Sequence, residues 1–369
     1  MDFSRGMLFH FAAIYLYYGV TICGILPFRY ALNRFVNCEF QLLWSLCAGI
    51  SIIALVGFSF YRIVTLITYP SLYIVRQLIY CEFIVRFGII SSCYVLAWIY
   101  RRQFKVCGNA FLENLKDLKP FVIPAWIDRK LVVYGLVKIC IVDIMMSFLF
   151  AINFGVNASN DPVSLFERVV NVFAVFVVAQ VSNVCMFTVY LGAHLYRLIN
   201  WQVRLTIGML CDLDRSLGQG SERAFQNRDP RLFDDVREKL ALLRRLHYKT
   251  TQSIRGILDI FGVPLALINL NQFLVIISRV YFVYVSIIYE LNKEFSITLS
   301  RYFNSIFYLC FEFIHLLCLV SACALTVRRA EKTLILLNEF FETDVDIAVD
   351  ESLVYCCGIT LFFFVDYTD

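Results

Sequence analysis

The chain has 369 residues, of which 60% are hydrophobic and only 17% charged, where soluble domains carry about a quarter charged residues. Together with a mean hydropathy of +0.71, this excludes an ordinary soluble domain and points to a polytopic membrane protein. The net charge of +4 is too mild to imply nucleic acid, so the placement of the basic residues matters more than their sum.

A helix needs about 20 apolar residues to cross a bilayer core. The first such segment is Leu8–Pro27. Its basic region is the single Arg5, its apolar run exceeds a signal peptide's, and no small-residue cleavage site follows, so it reads as retained. Gln41–Tyr61 and Leu72–Ile99 come next. Glu82 and Arg86 in the third segment are four residues apart, on one helical face, and are expected to pair. The stretch 100–130 is basic and reads as helical up to Pro120.

The fourth segment, Leu131–Val156, carries Lys138 and Asp143. In an α-helix, residues five apart point about 140° from one another, so each is expected to pair with another helix. Asn157-Ala158-Ser159 follows as an N-x-S acceptor, which is a glycosylation candidate only on the outer side. The fifth segment is Phe166–Tyr196. Within the stretch 197–255, turn-like sequence at Gly218–Arg223 and Asn227–Pro230 precedes a helical stripe of Val236, Leu240, Leu243, His247, Thr250 and Ile254. That stripe reads as a helix packed on its neighbours or shared in a subunit bundle.

The sixth segment, Gly256–Glu290, contains Pro264, which frees a backbone carbonyl, and the polar Asn271 and Gln272. The seventh, Ser300–Val327, contains Glu312 and His315, three apart and able to line one cavity. The stretch 328–352 and a short apolar stub, 353–365, complete the chain. An ionisable side chain at mid-bilayer costs about 2.5–3.5 kcal/mol on insertion scales. Glu82, Arg86, Lys138, Asp143, Asn271, Gln272, Glu312 and His315 are therefore the candidates for a ligand pocket or intramembrane polar contacts.

Charge asymmetry orients the chain. Of 33 Lys and Arg, seven lie in 100–130, twelve in 197–255 and three in 328–352; the intervening loops hold Arg62, Lys293 and Arg301. The positive-inside rule makes the three basic stretches cytoplasmic and leaves Asn157 outside. None of the 14 cysteines falls in the outer loops, which argues against an extracellular disulfide framework. No catalytic triad, phosphate loop, metal-ligand spacing or cofactor motif appears, so neither enzyme chemistry nor a cofactor is expected. The fold expected is all-α: a polytopic transmembrane helical bundle forming one membrane domain.

The opening LYYGVTICGILPFRY resembles the N-terminal stretch of insect gustatory receptors, carried here by Tyr18, Gly24, Pro27 and Phe28. LTVRRAEKTLILLNEF is similar to that family's amphipathic linker after its penultimate helix. Cys357-Gly358 and Val365-Asp366-Tyr367-Thr368 look like a distorted form of the phrase that precedes its final helix. The TYxxxxxQF motif of that helix does not occur in this sequence, which leaves the pore-lining residues unknown. The resemblance implies a chemoreceptor of insect type in the plasma membrane of chemosensory neurons, a subunit of a tetrameric, homo- or heteromeric, ligand-gated cation channel. Its partners would be small-molecule tastants, bitter compounds foremost, together with membrane lipid and other gustatory receptors. It also implies that the first segment is re-entrant, with the N-terminus inside.

Three rivals stand beside this reading. A G-protein-coupled receptor fits the segment count, but WIYRRQ holds no acidic-Arg-Tyr triad and the seventh segment has no NPxxY. A secondary transporter should show internal repeats with matching breaks. A truncated, non-conducting product would explain the short stub.

Overall fold

The computed structural model describes residues 14–66, 73–118, 135, 138, 143, 165–218, 230–291 and 299–341. A short helix α1 (14–22) is followed by a two-stranded antiparallel hairpin, β1 (Phe28–Ala31) and β2 (Arg34–Asn37). The rest is helical: α2 (Glu39–Leu66), α3 (Tyr73–Ile99), α4 (Arg101–Leu118), α5 (Leu165–Gly218), α6 (Pro230–Leu291) and α7 (Leu299–Phe341). Five helical stretches among the described residues are long and apolar enough to cross a membrane: Glu39–Arg62, Tyr80–Ile99, Val172–Met209, Glu238–Val285 and Leu309–Thr333. Of the fourth predicted segment only Gly135, Lys138 and Asp143 are described, and Asn157 and the stub 353–365 lie outside the described residues.

The first predicted segment needs correcting, because its helix does not continue to Pro27. Gly24 takes a left-handed φ of 71°. Gly24 N–H bonds to the Thr21 carbonyl at 3.0 Å and Ile25 N–H to the Val20 carbonyl at 3.1 Å, the paired bonds of a Schellman stop with glycine just past the helix end. A Cβ at Gly24 would lie 2.8 Å from Ala48 Cβ, so the position excludes other residues by space as well as by φ. The carbonyls left over at this helix end are capped by side chains of α2 and α3. Trp44 Nε1 donates to Thr21 O at 3.0 Å, Ser45 Oγ to Gly24 O at 2.5 Å, and the Tyr94 hydroxyl to Cys23 O. Trp98 Nε1 in turn donates to Ser45 Oγ at 2.9 Å.

The described helices belong to two compact units. One comprises Met1–Val106, Ala125–Thr188 and Gly256–Ser321; the other Cys107–Pro124, Val189–Arg255 and Ala322–Asp369. Helices α5, α6 and α7, of 54, 62 and 43 residues, contribute to both. At about 1.5 Å per residue, each is at least twice as long as a bilayer core of about 30 Å requires. Apolar sequence accounts for the first unit's share of them. The second unit holds charged amphipathic sequence, and all of the described part of 197–255 is helix.

The second unit is fastened by polar side chains at helix crossings. Asn200 of α5 donates to the Arg329 carbonyl at 2.7 Å and accepts from Thr333 Oγ1 at 2.7 Å. Thr326 Oγ1 donates to the Val189 carbonyl and Arg329 Nη1 to the Ala193 carbonyl. Tyr196 bonds Thr251 at 2.7 Å, and Asn114 of α4 bonds Thr250 at 3.2 Å. Val236, Leu243, Thr250 and Ile254 of the predicted stripe are all buried. Gly192 lets α6 approach α5 closely: a Cβ there would sit 2.2 Å from Ile254 Cδ1.

Candidate functional site

Three helices of the first unit and the fourth segment bring ionisable side chains into one apolar interior, and α5 adds polar ones. Glu82 is nine residues into α3 and Arg86 thirteen. Glu312 and His315 are thirteen and sixteen residues into α7, and Arg279 is twelve residues before the end of α6. At about 1.5 Å per residue these positions lie about 14–24 Å along their helices from those ends. Ser182 and Asn183 of α5 join them, bonded to His315 and Asp143.

The contacts are specific. Lys138 Nζ meets Asp143 Oδ1 at 2.5 Å, and both side chains are fully buried. The other carboxylate oxygen of Asp143 accepts from Asn183 Nδ2 at 2.6 Å. Ser182 Oγ and His315 Nε2 are hydrogen-bonded at 2.6 Å. The Glu312 carboxyl lies within electrostatic reach of Lys138, Arg86, Glu82 and Arg279, and His315 within reach of Lys138. The cluster thus groups three basic side chains (Arg86, Lys138 and Arg279) with three acidic ones (Glu82, Asp143 and Glu312), so its formal charges balance. Unpaired, each would cost the several kcal/mol that an isolated buried ion loses in solvation. Gathered together, they compensate one another.

Two pairing expectations are corrected by this geometry. Glu82 and Arg86 both face inward, 7% and 9% exposed, but the ion pair expected between them does not form. The Arg86 guanidinium lies over the Phe83 ring, 5.5 Å from its centroid, a cation–π contact that competes well away from water. Glu82 Oε1 is buried with no hydrogen-bond partner. Conversely, Lys138 and Asp143, expected to look elsewhere, bond each other. Both sit in π-helical backbone, whose i→i+5 bonding brings residues five apart back to one side.

Asn271 and Gln272 are buried on α6, but no hydrogen bond or ion pair joins them to the cluster. Asn271 Oδ1 and both polar atoms of the Gln272 amide are unsatisfied. Sequence reasoning passed over Ser182, Asn183 and Arg279. Arg279 was findable, being an arginine inside an apolar run, whereas Ser182 and Asn183 are small and uncharged and carry no such signal in α5. Among the described residues no group of His, Cys, Asp and Glu is arranged to hold a metal ion.

The N-terminal motif residues are positioned by the helix stop already described. Gly24 makes the turn. Phe28 is buried, with its ring 5.1 Å from Phe35 and 5.1 Å from Phe104. Tyr18 is exposed and in edge contact with Tyr17, and Pro27 lies in the link between α1 and the hairpin.

No curated protein matches the chain. A family model described as 7tm Chemosensory receptor matches residues 13–354, a range that takes in every described helix, the hairpin and the whole charge cluster. With its multiple membrane-crossing helices and that match over most of its length, the chain belongs to the 7tm chemosensory receptor family.

Proposed function

We propose that this receptor is a gustatory subunit of a ligand-gated cation channel in the plasma membrane of chemosensory neurons. It assembles as a homo- or heterotetramer and opens when a small-molecule tastant binds among the helices of the first unit. The basic stretches face the cytoplasm and Asn157 faces outward, where it is a candidate for glycosylation. Bitter compounds are the favoured class, because an interior with polar groups set among aromatic side chains suits bulky amphipathic molecules.

The observation that carries this reading is the cluster of six ionisable side chains, three basic and three acidic, in the interior of the first unit. Stability alone does not call for it, since well-packed apolar residues in place of buried ion pairs are often as stable or more so. Ionisable residues inside a membrane protein are by default functional. Here Glu82 Oε1 still has an unmet hydrogen-bonding position, which a ligand donor can fill.

The test is expression in oocytes, alone and with partner subunits, with a panel of aromatic bitter compounds and sugars as ligands. Glu82→Gln and Glu312→Gln should shift half-maximal ligand concentration at least tenfold while surface expression stays level. Unchanged dose–response curves in both variants, at matched surface expression, would remove the cluster from the ligand site.

A further inference from the structure

The β1–β2 hairpin is built unlike the rest of the chain. Its cross-strand pairs are Phe28↔Asn37, Arg29↔Val36, Tyr30↔Phe35 and Ala31↔Arg34. Residues directly opposite share a face. One face therefore carries Phe28, Tyr30, Phe35 and Asn37, and it is anchored. Phe28 packs on Phe104 of α4, Phe104 packs on Phe261 of α6 at 5.2 Å, and Lys105 Nζ donates to Asn37 Oδ1 at 2.9 Å. The opposite face carries Arg29, Ala31, Arg34 and Val36, and both arginines are exposed.

The turn adds a second, independent feature. Leu32 and Asn33 have φ of 53° and 58°, the two positive values of a type I′ turn. Asn33 suits that conformation, but leucine there is strained. Leu32 is nonetheless 87% exposed, an apolar side chain held at the tip by an unfavourable backbone.

Arg101 and Arg102, exposed at the start of α4, extend the basic surface beside the hairpin. Neither they nor Arg29 and Arg34 make a hydrogen bond or ion pair among the described residues, and Glu39 is the acidic group nearest in sequence. The hairpin leads directly into α2, and α3 leads directly into α4, so all these groups gather at one end of the antiparallel α2–α3 pair. Arg101 and Arg102, at that end, open the basic stretch 100–130.

We infer that the hairpin is an interfacial anchor for anionic phospholipid. Leu32 inserts at the headgroup–acyl boundary, and Arg29 and Arg34, with Arg101 and Arg102 beside them, bind headgroup phosphate and carboxylate of the cytoplasmic leaflet. An exposed apolar tip flanked by cations, at the membrane end of a helix pair, fits a lipid surface; a soluble anion would leave Leu32 unexplained. The assignment rests on the cytoplasmic orientation proposed above but not on conduction or on any tastant.

The experiment is native mass spectrometry of the full chain in a neutral detergent with added phosphatidylserine or phosphatidylcholine, counting retained lipids. Each cation near an anionic surface is worth roughly a fivefold change in affinity. Arg29→Gln/Arg34→Gln should therefore lower phosphatidylserine retention at least about fivefold and leave phosphatidylcholine retention alone. Arg29→Lys/Arg34→Lys should keep most of the preference, and Leu32→Ser should weaken it. Millimolar inorganic phosphate should displace little lipid. Phosphatidylserine retention in the Gln variant equal to wild type overturns the assignment. So does complete displacement by phosphate together with a silent Leu32→Ser, which would mark a soluble-anion site. If the Gln variant does not stay monodisperse, the Lys and Ser variants decide: equal retention in both overturns it, and retention by Lys with loss by Ser supports it.

Discussion

Removing Asp143 should damage this receptor more than removing Lys138 and Asp143 together. Asp143 satisfies two groups, taking Lys138 Nζ on one oxygen and Asn183 Nδ2 on the other. Asp143→Leu leaves a fully buried ammonium without its ion pair, a change that costs about 3–5 kcal/mol. The orphaned Asn183 amide adds about 1 kcal/mol. Glu312 lies within electrostatic reach of Lys138 and recovers part of the loss, so the net figure falls near the lower end, about 3–4 kcal/mol. In Lys138→Met/Asp143→Leu the stranded charge is gone and mainly the Asn183 orphan remains, about 1–2 kcal/mol. Thermal unfolding followed by size-exclusion chromatography in detergent resolves the difference. At roughly 2 °C per kcal/mol for a chain of this size, the single variant should melt about 6–8 °C below wild type and the double about 2–4 °C below. A double variant whose loss equals the sum of the two single losses would show that the two groups do not depend on each other, and the account of the cluster as mutually compensating charges would fail.

Gly24→Ala should destabilise by about 1–3 kcal/mol, because alanine is strained at φ 71° and its Cβ meets Ala48; adding Ala48→Gly should return only the contact part, measured by the same melting assay. In the second unit, Tyr196→Phe should cost about 1 kcal/mol and Thr251→Val about 1–2 kcal/mol, since Thr251 Oγ1 also donates to the His247 carbonyl, with the double variant costing no more than Thr251→Val alone. Epitope tags placed in 101–118 and in 219–229 should be inaccessible in intact cells and accessible after permeabilisation. Asn157→Gln should abolish any glycosidase-sensitive mobility shift, and surface labelling of either tag without permeabilisation would reverse the orientation.

Much of the architecture was legible because bilayer physics acts on composition directly. Apolar runs of about 20 residues marked the crossings that appear in α2, α3, α5, α6 and α7, and a 3.6-residue period marked α4 and the buried stripe from Val236 to Ile254. The charged residues of the candidate site were also visible singly, since Glu82, Lys138 or Glu312 stands out in apolar surroundings. Their partners were not visible. The i, i+4 spacing of Glu82 and Arg86 is correct helix geometry, but it gives proximity along one helix and says nothing of the Phe83 ring that takes the guanidinium or of the other charges in the cluster.

By itself, then, the sequence determined a polytopic helical membrane protein, the positions of most of its crossings, the charge asymmetry of its loops, and a family resemblance that the match over residues 13–354 bears out at the level of chemosensory receptors. These are local or additive properties, set by hydropathy, periodicity and residue counts along the chain. Only the tertiary structure decided that Lys138 pairs with Asp143, and that Ser182, Asn183 and Arg279 belong with them. The same holds for the α1 helix, which stops at Gly24 under side-chain caps from α2 and α3, and for Arg29 and Arg34, which share the outward face of a hairpin. Each depends on backbone register or on a contact between residues far apart in the chain, and the energies involved, a few kcal/mol apiece, are settled by whichever partner the packed helices bring within reach.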